Sequence, residues 1–138
     1  MRDNANIDNA SAEEVDRLCN LLQAFNRPWL GAGEEVQINL AARSENGDLL
    51  GGILASVSLG WLEIHVLWVD ARSRVSGTGT SLLTQCEQIA ISMKAHSSRL
   101  DTFDWQAENF YERRGYVCFA RLENYPTGHQ RIFMKKHF

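Results

Sequence analysis

The feature that most restricts how this chain can fold is a change of hydrophobic period across a glycine-rich turn. Trp61 to Val69 (WLEIHVLWV) is a nearly continuous apolar, β-branched and aromatic run, the pattern of a central strand covered on both faces. From Gly79 onward Leu82, Leu83, Cys86, Ile89, Ala90 and Met93 recur as one stripe of a helix that ends near His96. Between them lies RSRVSGTGT, from Arg72 to Thr80. A strand that feeds a helix in this way calls for an α/β or α+β layering, because strand face and helix stripe must cover each other. The junction also has chemistry of its own. Helix-start N–H groups lack internal partners, the helix dipole places about half a positive charge there, and glycines permit close approach, so a phosphate or pyrophosphate is favoured. A Walker loop would need a Lys before its final Ser/Thr, which SGTGTS does not have. A dinucleotide fingerprint would need a third Gly where Leu82 stands, and the chain left after Gly79 is too short for a full doubly wound domain.

The rest of the chain supplies elements on both sides of this junction. Ser11 and Glu14 form a capping box, and Val15, Leu18, Cys19, Leu22 and Phe25 follow at helical spacing, which predicts a helix over 12–25 and a loop over 26–35. Val36, Ile38, Leu40 and Ala42 alternate as in a half-buried strand, Asn46-Gly47 signals a hairpin with positive φ at both positions, and Leu49–Ser58 is the returning strand. A short strand over 100–103, a short helix over 107–114 stopped by Gly115, and strands over 116–122 and 131–136 complete the order. Residues 1–10 are polar and read as frayed, or as a short edge strand around Ile7. At 138 residues, 44% hydrophobic, the chain is expected to form a single domain spanning 1–138 with a core that needs no staples.

Charge and composition exclude several function classes. The net charge is −3 and no basic run exceeds Lys135-Lys136, which argues against a nucleic-acid partner. No apolar run approaches the roughly 20 residues of a membrane span, and MRDNANIDNA has no secretory core, so a cytoplasmic protein with no membrane partner is expected. Cys19, Cys86 and Cys118 show no ligand spacing and sit among apolar neighbours, which reads as buried thiols and no metal site.

The pattern R/Q-x-x-G-x-G/A does fit, as Arg74-Val75-Ser76-Gly77-Thr78-Gly79 at the strand-to-helix junction. With it goes a second signature, Ala107-Glu108-Asn109-Phe110-Tyr111-Glu112-Arg113-Arg114-Gly115-Tyr116. On these two motifs, in this order, the sequence resembles the GNAT N-acetyltransferase superfamily from its first helix to its C-terminus. The resemblance implies a mixed, mostly antiparallel sheet of six to seven strands, splayed at the cofactor site and flanked by three to four helices. It implies acetyl-CoA as cofactor, its pyrophosphate on the amides of Ser76, Gly77, Thr78, Gly79 and Thr80, with Arg74, Val75 and Phe110 in the same site. Strand amides around Leu67, Trp68 and Val69 would bind the pantetheine and the acetyl carbonyl as an oxyanion hole. Val75 and Ser76 depart from the Gly and the basic residue or Gln common in the family, and Asp104 stands where Asn is frequent.

Amide formation from an amine and a thioester needs a neutral amine, a stabilised oxyanion and a protonated leaving thiol. Tyr111 matches the family tyrosine that protonates the thiolate, and a phenol near pKa ~10 suits a thiolate near ~8.5. Glu63 stands eleven residues before Arg74, the spacing at which some family members carry a general base. An ordinary carboxylate is too acidic for that task by roughly 8 kcal/mol, so Glu63 either has help or only orients the ammonium. His65, two residues on and on the same face, is the candidate helper, with a satisfied core histidine as its alternative.

Family specificity loops correspond to 26–35 and 124–130, where Trp29, Glu34, Glu35 and Tyr125 would form an apolar and acidic rim. The resulting expectation is transfer of an acetyl group to a primary amine of a small cationic molecule, in a ternary complex. Alternatives are a peptide or protein lysine or N-terminal acceptor, and a non-catalytic acyl-CoA-binding module. The resemblance also implies a homodimer through the C-terminal strands.

Overall fold

The computed structural model describes residues 4–74 and 76–138. It divides into two compact units, Met1–Gly33 and Glu34–Phe138. Residues 4–10 form no strand, so the edge strand around Ile7 is absent from the first unit. That unit is in essence one helix, α1 (Ala12–Leu30). It opens on the expected capping box: Ser11 Oγ accepts from the Glu14 amide at 3.2 Å, and Glu14 Oε1 accepts from the Ser11 amide at 3.0 Å. The helix runs five residues past the predicted end and contains Pro28. A proline so close to a C-terminus removes only one helical hydrogen bond and leaves the preceding turns intact, so the stop comes at Gly31 instead.

The second unit is a six-stranded mixed sheet of order β1-β2-β3-β4-β6-β5. Its strands are β1 (Val36–Arg43), β2 (Leu49–Ser58), β3 (Trp61–Val69), β4 (Ser97–Phe103), β5 (Val117–Glu123) and β6 (Gln130–His137). Helices α2 (Thr78–Ser92) and α3 (Glu108–Glu112) and a 3-10 turn, Ala71–Ser73, complete it. All neighbouring pairs are antiparallel except β3 and β4, which the crossover through α2 makes parallel. The β1–β2 turn differs from the expected two-residue type. Only Gly47 has positive φ, +85°, and the Ser44 and Asp48 backbones close a longer loop at 2.9 Å.

Leu82, Leu83, Cys86 and Ala90 of α2 pack on Ile53, Ala55, Leu62, Ile64, Leu100, Ile132 and Met134 to form the core. Glu87 on the same helix is buried, but its carboxylate is satisfied by Tyr116 Oη at 2.9 Å and Lys136 Nζ at 3.1 Å, and Tyr116 Oη also bonds Ser98 Oγ at 2.8 Å. This polar knot joins α2 to the sheet. Strand β4 begins at Ser97, three residues before the predicted start, because two serines read as loop although both are fully buried in the sheet. Of the three thiols only Cys86 is buried: Cys118 lies on the edge strand β5 and is half-buried, and Cys19 is exposed on α1. No helix of the described residues is long and apolar enough to cross a membrane. Among them no group of His, Cys, Asp or Glu has metal-binding geometry.

Candidate active site

The site begins where β3 and β4 part. Their parallel ladder pairs Trp61 to Ile64 with Ser97 to Leu100 and then stops, while β3 continues to Val69 and β4 to Phe103. On its other side β3 stays paired with β2 as far as Val69, through a bulge at which Leu54 pairs with Val66 and Ala55 with Ile64, leaving His65 as the extra residue. Beyond Ile64, therefore, one edge of β3 has no strand partner and its amides on that side are free for a ligand. The apolar character of this stretch is not that of a strand covered on both faces: Val66 is 46% and Trp68 48% exposed. Of these two, Trp68 lines a cleft together with its neighbours Leu67 and Val69.

A cavity of about 760 Å³ fills the cleft, within the range of small-molecule sites. Leu67, Trp68 and Val69 form one wall, Arg74, Gly77, Gly79 and Thr80 the base, and Trp105 to Ala107 with Phe110, Tyr111, Arg113 and Arg114 the other wall. Gly77 caps α2 in the left-handed conformation (φ 84°, ψ 7°) with no side chain bonding the first helical amides, so these remain available to an anion. A Cβ on Gly79 would meet the Phe110 ring at 3.3 Å and Val69 Cγ2 at 3.5 Å, so glycine keeps this floor open. Phe110 cannot easily give way, because the Arg114 guanidinium lies 3.7 Å above its ring and also holds the Phe110 carbonyl and Thr80 Oγ1. Arg74 is anchored by its Nε–H to the Val69 carbonyl at 3.1 Å. Uncapped amides, three guanidinium groups and a glycine floor fit a ligand with several phosphates joined to an apolar arm.

Tyr111 is 6% exposed and lines the cavity. Its ring is held edge-to-face between Phe110 and Tyr116, at 5.2 and 5.7 Å, and among the described residues its hydroxyl has no hydrogen-bond partner. Burial pushes its pKa up to about 12.

Other predicted site residues lie elsewhere. Ser76 and Thr78 line a neighbouring groove of about 680 Å³ between β1 and α2, where their hydroxyls bond each other at 3.0 Å. Val75 lies outside the described residues. Glu63 and His65 are not among the residues lining the cavity. Glu63 Oε1 accepts from Arg99 Nη1 at 2.8 Å, and His65 places Nδ1 4.0 Å from that carboxylate and Nε2 2.8 Å from Ser56 Oγ. Asp104 accepts from the Gln130 amide and from His129 Nδ1, both at 2.9 Å. Desolvation opposes charge on Asp104, but these bonds outweigh it and hold the carboxyl below its ordinary value. Glu34 and Glu35 are exposed before β1, where Glu35 accepts from Gln37. Tyr125 Oη accepts from Arg131, and Trp29 belongs to the other unit.

Sequence reasoning missed Trp105, Gln106, Ala107, Asn109, Arg113 and Arg114 as cavity residues. The Arg113-Arg114 pair carried a signal, two cations next to a phosphate-binding loop. Trp105 carried none without the strand register.

Residues 6–116 match the acetyltransferase (GNAT) family. The chain belongs to that family. It is 39% identical over 88 residues to blasticidin-S acetyltransferase of Streptomyces morookaense, a match covering 63% of this chain and 65% of that protein's length. Its fold matches that of an acetyltransferase from Bacillus cereus ATCC 14579 with a TM-score of 0.90 and 29% identity, over 97% of this chain and 98% of the other. A protein from Bacillus anthracis str. Ames, assigned as a streptothricin acetyltransferase and solved in complex with acetyl coenzyme A, matches at TM-score 0.67 and 25% identity, over 74% of this chain and 62% of the other. The comparisons thus agree with the fold and with membership of an acetyltransferase family.

Proposed function

We propose that this acetyltransferase moves an acetyl group from acetyl-CoA to a primary amine of a small cationic molecule by direct attack, both substrates being bound, and that residues 1–138 act as one acetyltransferase domain. The carrying observation is that residues from the uncapped start of α2, from the unpaired edge of β3 and Tyr111 line one cavity. Bound there, acetyl-CoA supplies an acetyl group activated as a thioester. The α2 amides from Thr78 to Thr80, with Arg74, Arg113 and Arg114, suit its phosphates, and the β3 amides suit its pantetheine and the charge that builds on the carbonyl oxygen. Tyr111 donates a hydrogen bond to the departing sulfur. The antibiotic acetyltransferase among the similar proteins supports a small-molecule acceptor.

Glu63 already neutralises Arg99, and this supports an orienting role for its carboxylate over that of a free base. The amine's proton leaves by water toward His65, and Tyr125 stands at the outer acceptor rim; Glu34 and Glu35 precede β1, whose start pairs in register with the end of the sheet opposite the cleft, and so lie away from that rim. Two copies pair through the β5 edge, where Val117, Phe119 and Leu122 are exposed apolar residues; sedimentation as a monomer at micromolar concentration would count against this.

Calorimetric titration tests the central claim. Saturable binding of acetyl-CoA and CoA, no heat with NADPH, and CoA thiol release on adding small amines are expected. Acetyl-CoA binding without thiol release from any small amine, but with acetylation of a peptide lysine, would replace the acceptor class. No binding of either CoA species would remove the whole reading.

A further inference from the structure

We infer that Trp105 and Phe103 form a stacking platform for the acceptor, and that the preferred acceptor carries a flat unsaturated ring beside its amine. The inference rests on the acetyltransfer reading above and adds the substrate class. The two rings lie nearly parallel, 6° apart, with centroids at 4.6 Å. Phe103 is on β4, two residues from Asp101 and four from Arg99, the partner of Glu63; alternation along the strand puts all of them on the face of the sheet that carries Glu63. Trp105 lines the cavity that contains Tyr111, so the stack lies where that face meets the cleft.

The indole is 55% exposed, yet it is held in place. Phe103 backs it, and the His129 ring approaches at 4.9 Å and 79°, itself fixed by Asp104. Phe103 is braced in turn by Tyr125 at 6.4 Å and by Arg131, whose guanidinium bonds Asp101 and Tyr125. Trp105 is not part of the buried core, so packing does not explain why so much order surrounds an exposed ring. Trp68, 48% exposed on the opposite wall, adds a second indole to the same cavity. A rigid exposed indole binds flat π-systems well, because stacking adds to area burial and little side-chain entropy is lost.

A bare ammonium is a poorer occupant. The cation–π role in this cluster is filled by Arg131, which lies 4.8 Å from the Tyr125 centroid and 5.6 Å from those of Phe103 and Phe133. The platform therefore seats the ring of the acceptor while its amine reaches into the cleft.

The test uses 2-phenylethylamine and 2-cyclohexylethylamine, matched in length and differing in the ring. With acetyl-CoA present, titration of the wild-type protein should shift the Trp105 indole N–H resonance saturably with the phenyl amine and not with the cyclohexyl amine. In CoA-thiol release, kcat/KM should favour the phenyl amine at least tenfold. Trp105→Ala should bring that ratio near one, and Trp105→Phe, the conservative control, should keep most of it. Equal kcat/KM for the two amines in the wild type, or a ratio unchanged by Trp105→Ala, overturns the platform. A selective Trp105 shift without thiol release from either amine supports the platform and counts instead against the transfer reading; no shift overturns the platform whatever the turnover.

Discussion

Tyr111 shows how one residue's surroundings redefine its role. A free phenol could hand a proton to a thiolate, but burial has moved Tyr111 to about 12. Complete transfer to a thiolate with an ordinary pKa of about 8.5 is then uphill by about 5 kcal/mol. In the proposed reaction the hydroxyl acts instead as a hydrogen-bond donor that steadies charge on sulfur, with solvent completing the protonation. Tyr111→Phe should accordingly lower kcat by about 10- to 100-fold, less than the loss of a full proton shuttle. The sign of the pH effect follows. A raised pKa keeps the phenol protonated, so kcat should not fall on the alkaline side below about pH 10 on its account; a limb near pH 9 that vanishes in Tyr111→Phe would contradict this. Glu63 offers the parallel case. If it orients through Arg99, Glu63→Gln should reduce kcat/KM by roughly tenfold while the acidic limb of the pH profile stays where it was, since losing a paired charge disturbs geometry and not a titration. Loss of that limb would make Glu63 the base. Tyr111 was legible in the sequence because its motif is local. The Arg99 partner was not, because it is set by the register of a parallel pair separated by a whole helix.

At the scale of elements, the strand–glycine–helix junction was readable because each part is local: a period of two, a glycine pair, a period of 3.6. Strand β4 was half readable, since buried serines look like loop residues, and the tail of α1 was hidden behind Pro28. What no local signal carried was the parting of β3 from β4, which depends on where a crossover lets the ladder end. The junction's function depends on an open floor, and that can be tested at Gly79. Alanine is the better helix former, but strain against a ring that cannot easily give way opposes that gain, so Gly79→Ala should leave the melting temperature unchanged or slightly lowered. Its methyl group would press on a Phe110 ring that Arg114 clamps from above, so acetyl-CoA Kd should rise about tenfold. Calorimetry and thermal melting together separate the two effects, and an unchanged Kd would mean that the ligand does not lie over this floor.

For the whole molecule, the same burial that tunes Tyr111 couples stability to alkaline pH. Tyr111 titrates near 10 in an unfolded chain and near 12 in the folded one, and desolvation raises Tyr116 further, Ser98 opposing and Glu87 adding to the rise. A pKa raised on folding means that the folded state disfavours the phenolate. The stability is fully present below about pH 10 and is lost as pH climbs toward and beyond 12, by about 1.4 kcal/mol per pH unit for each tyrosine within its window. Burial also raises the Cys86 thiol from 9 to about 11, so urea midpoints should be flat up to about pH 9, begin to fall between 9 and 10 and fall steeply above that. Tyr116→Phe removes one of the three alkaline titrations and leaves Glu87 and Ser98 without a shared donor. At pH 8 it should cost about 1 to 3 kcal/mol through those buried groups, and above pH 10 its urea midpoint should decline less steeply than that of the wild type. A variant that loses stability at pH 8 but keeps the wild-type alkaline slope would show that Tyr116 titrates elsewhere, and would leave Tyr111 as the group that links the cleft's chemistry to the fold.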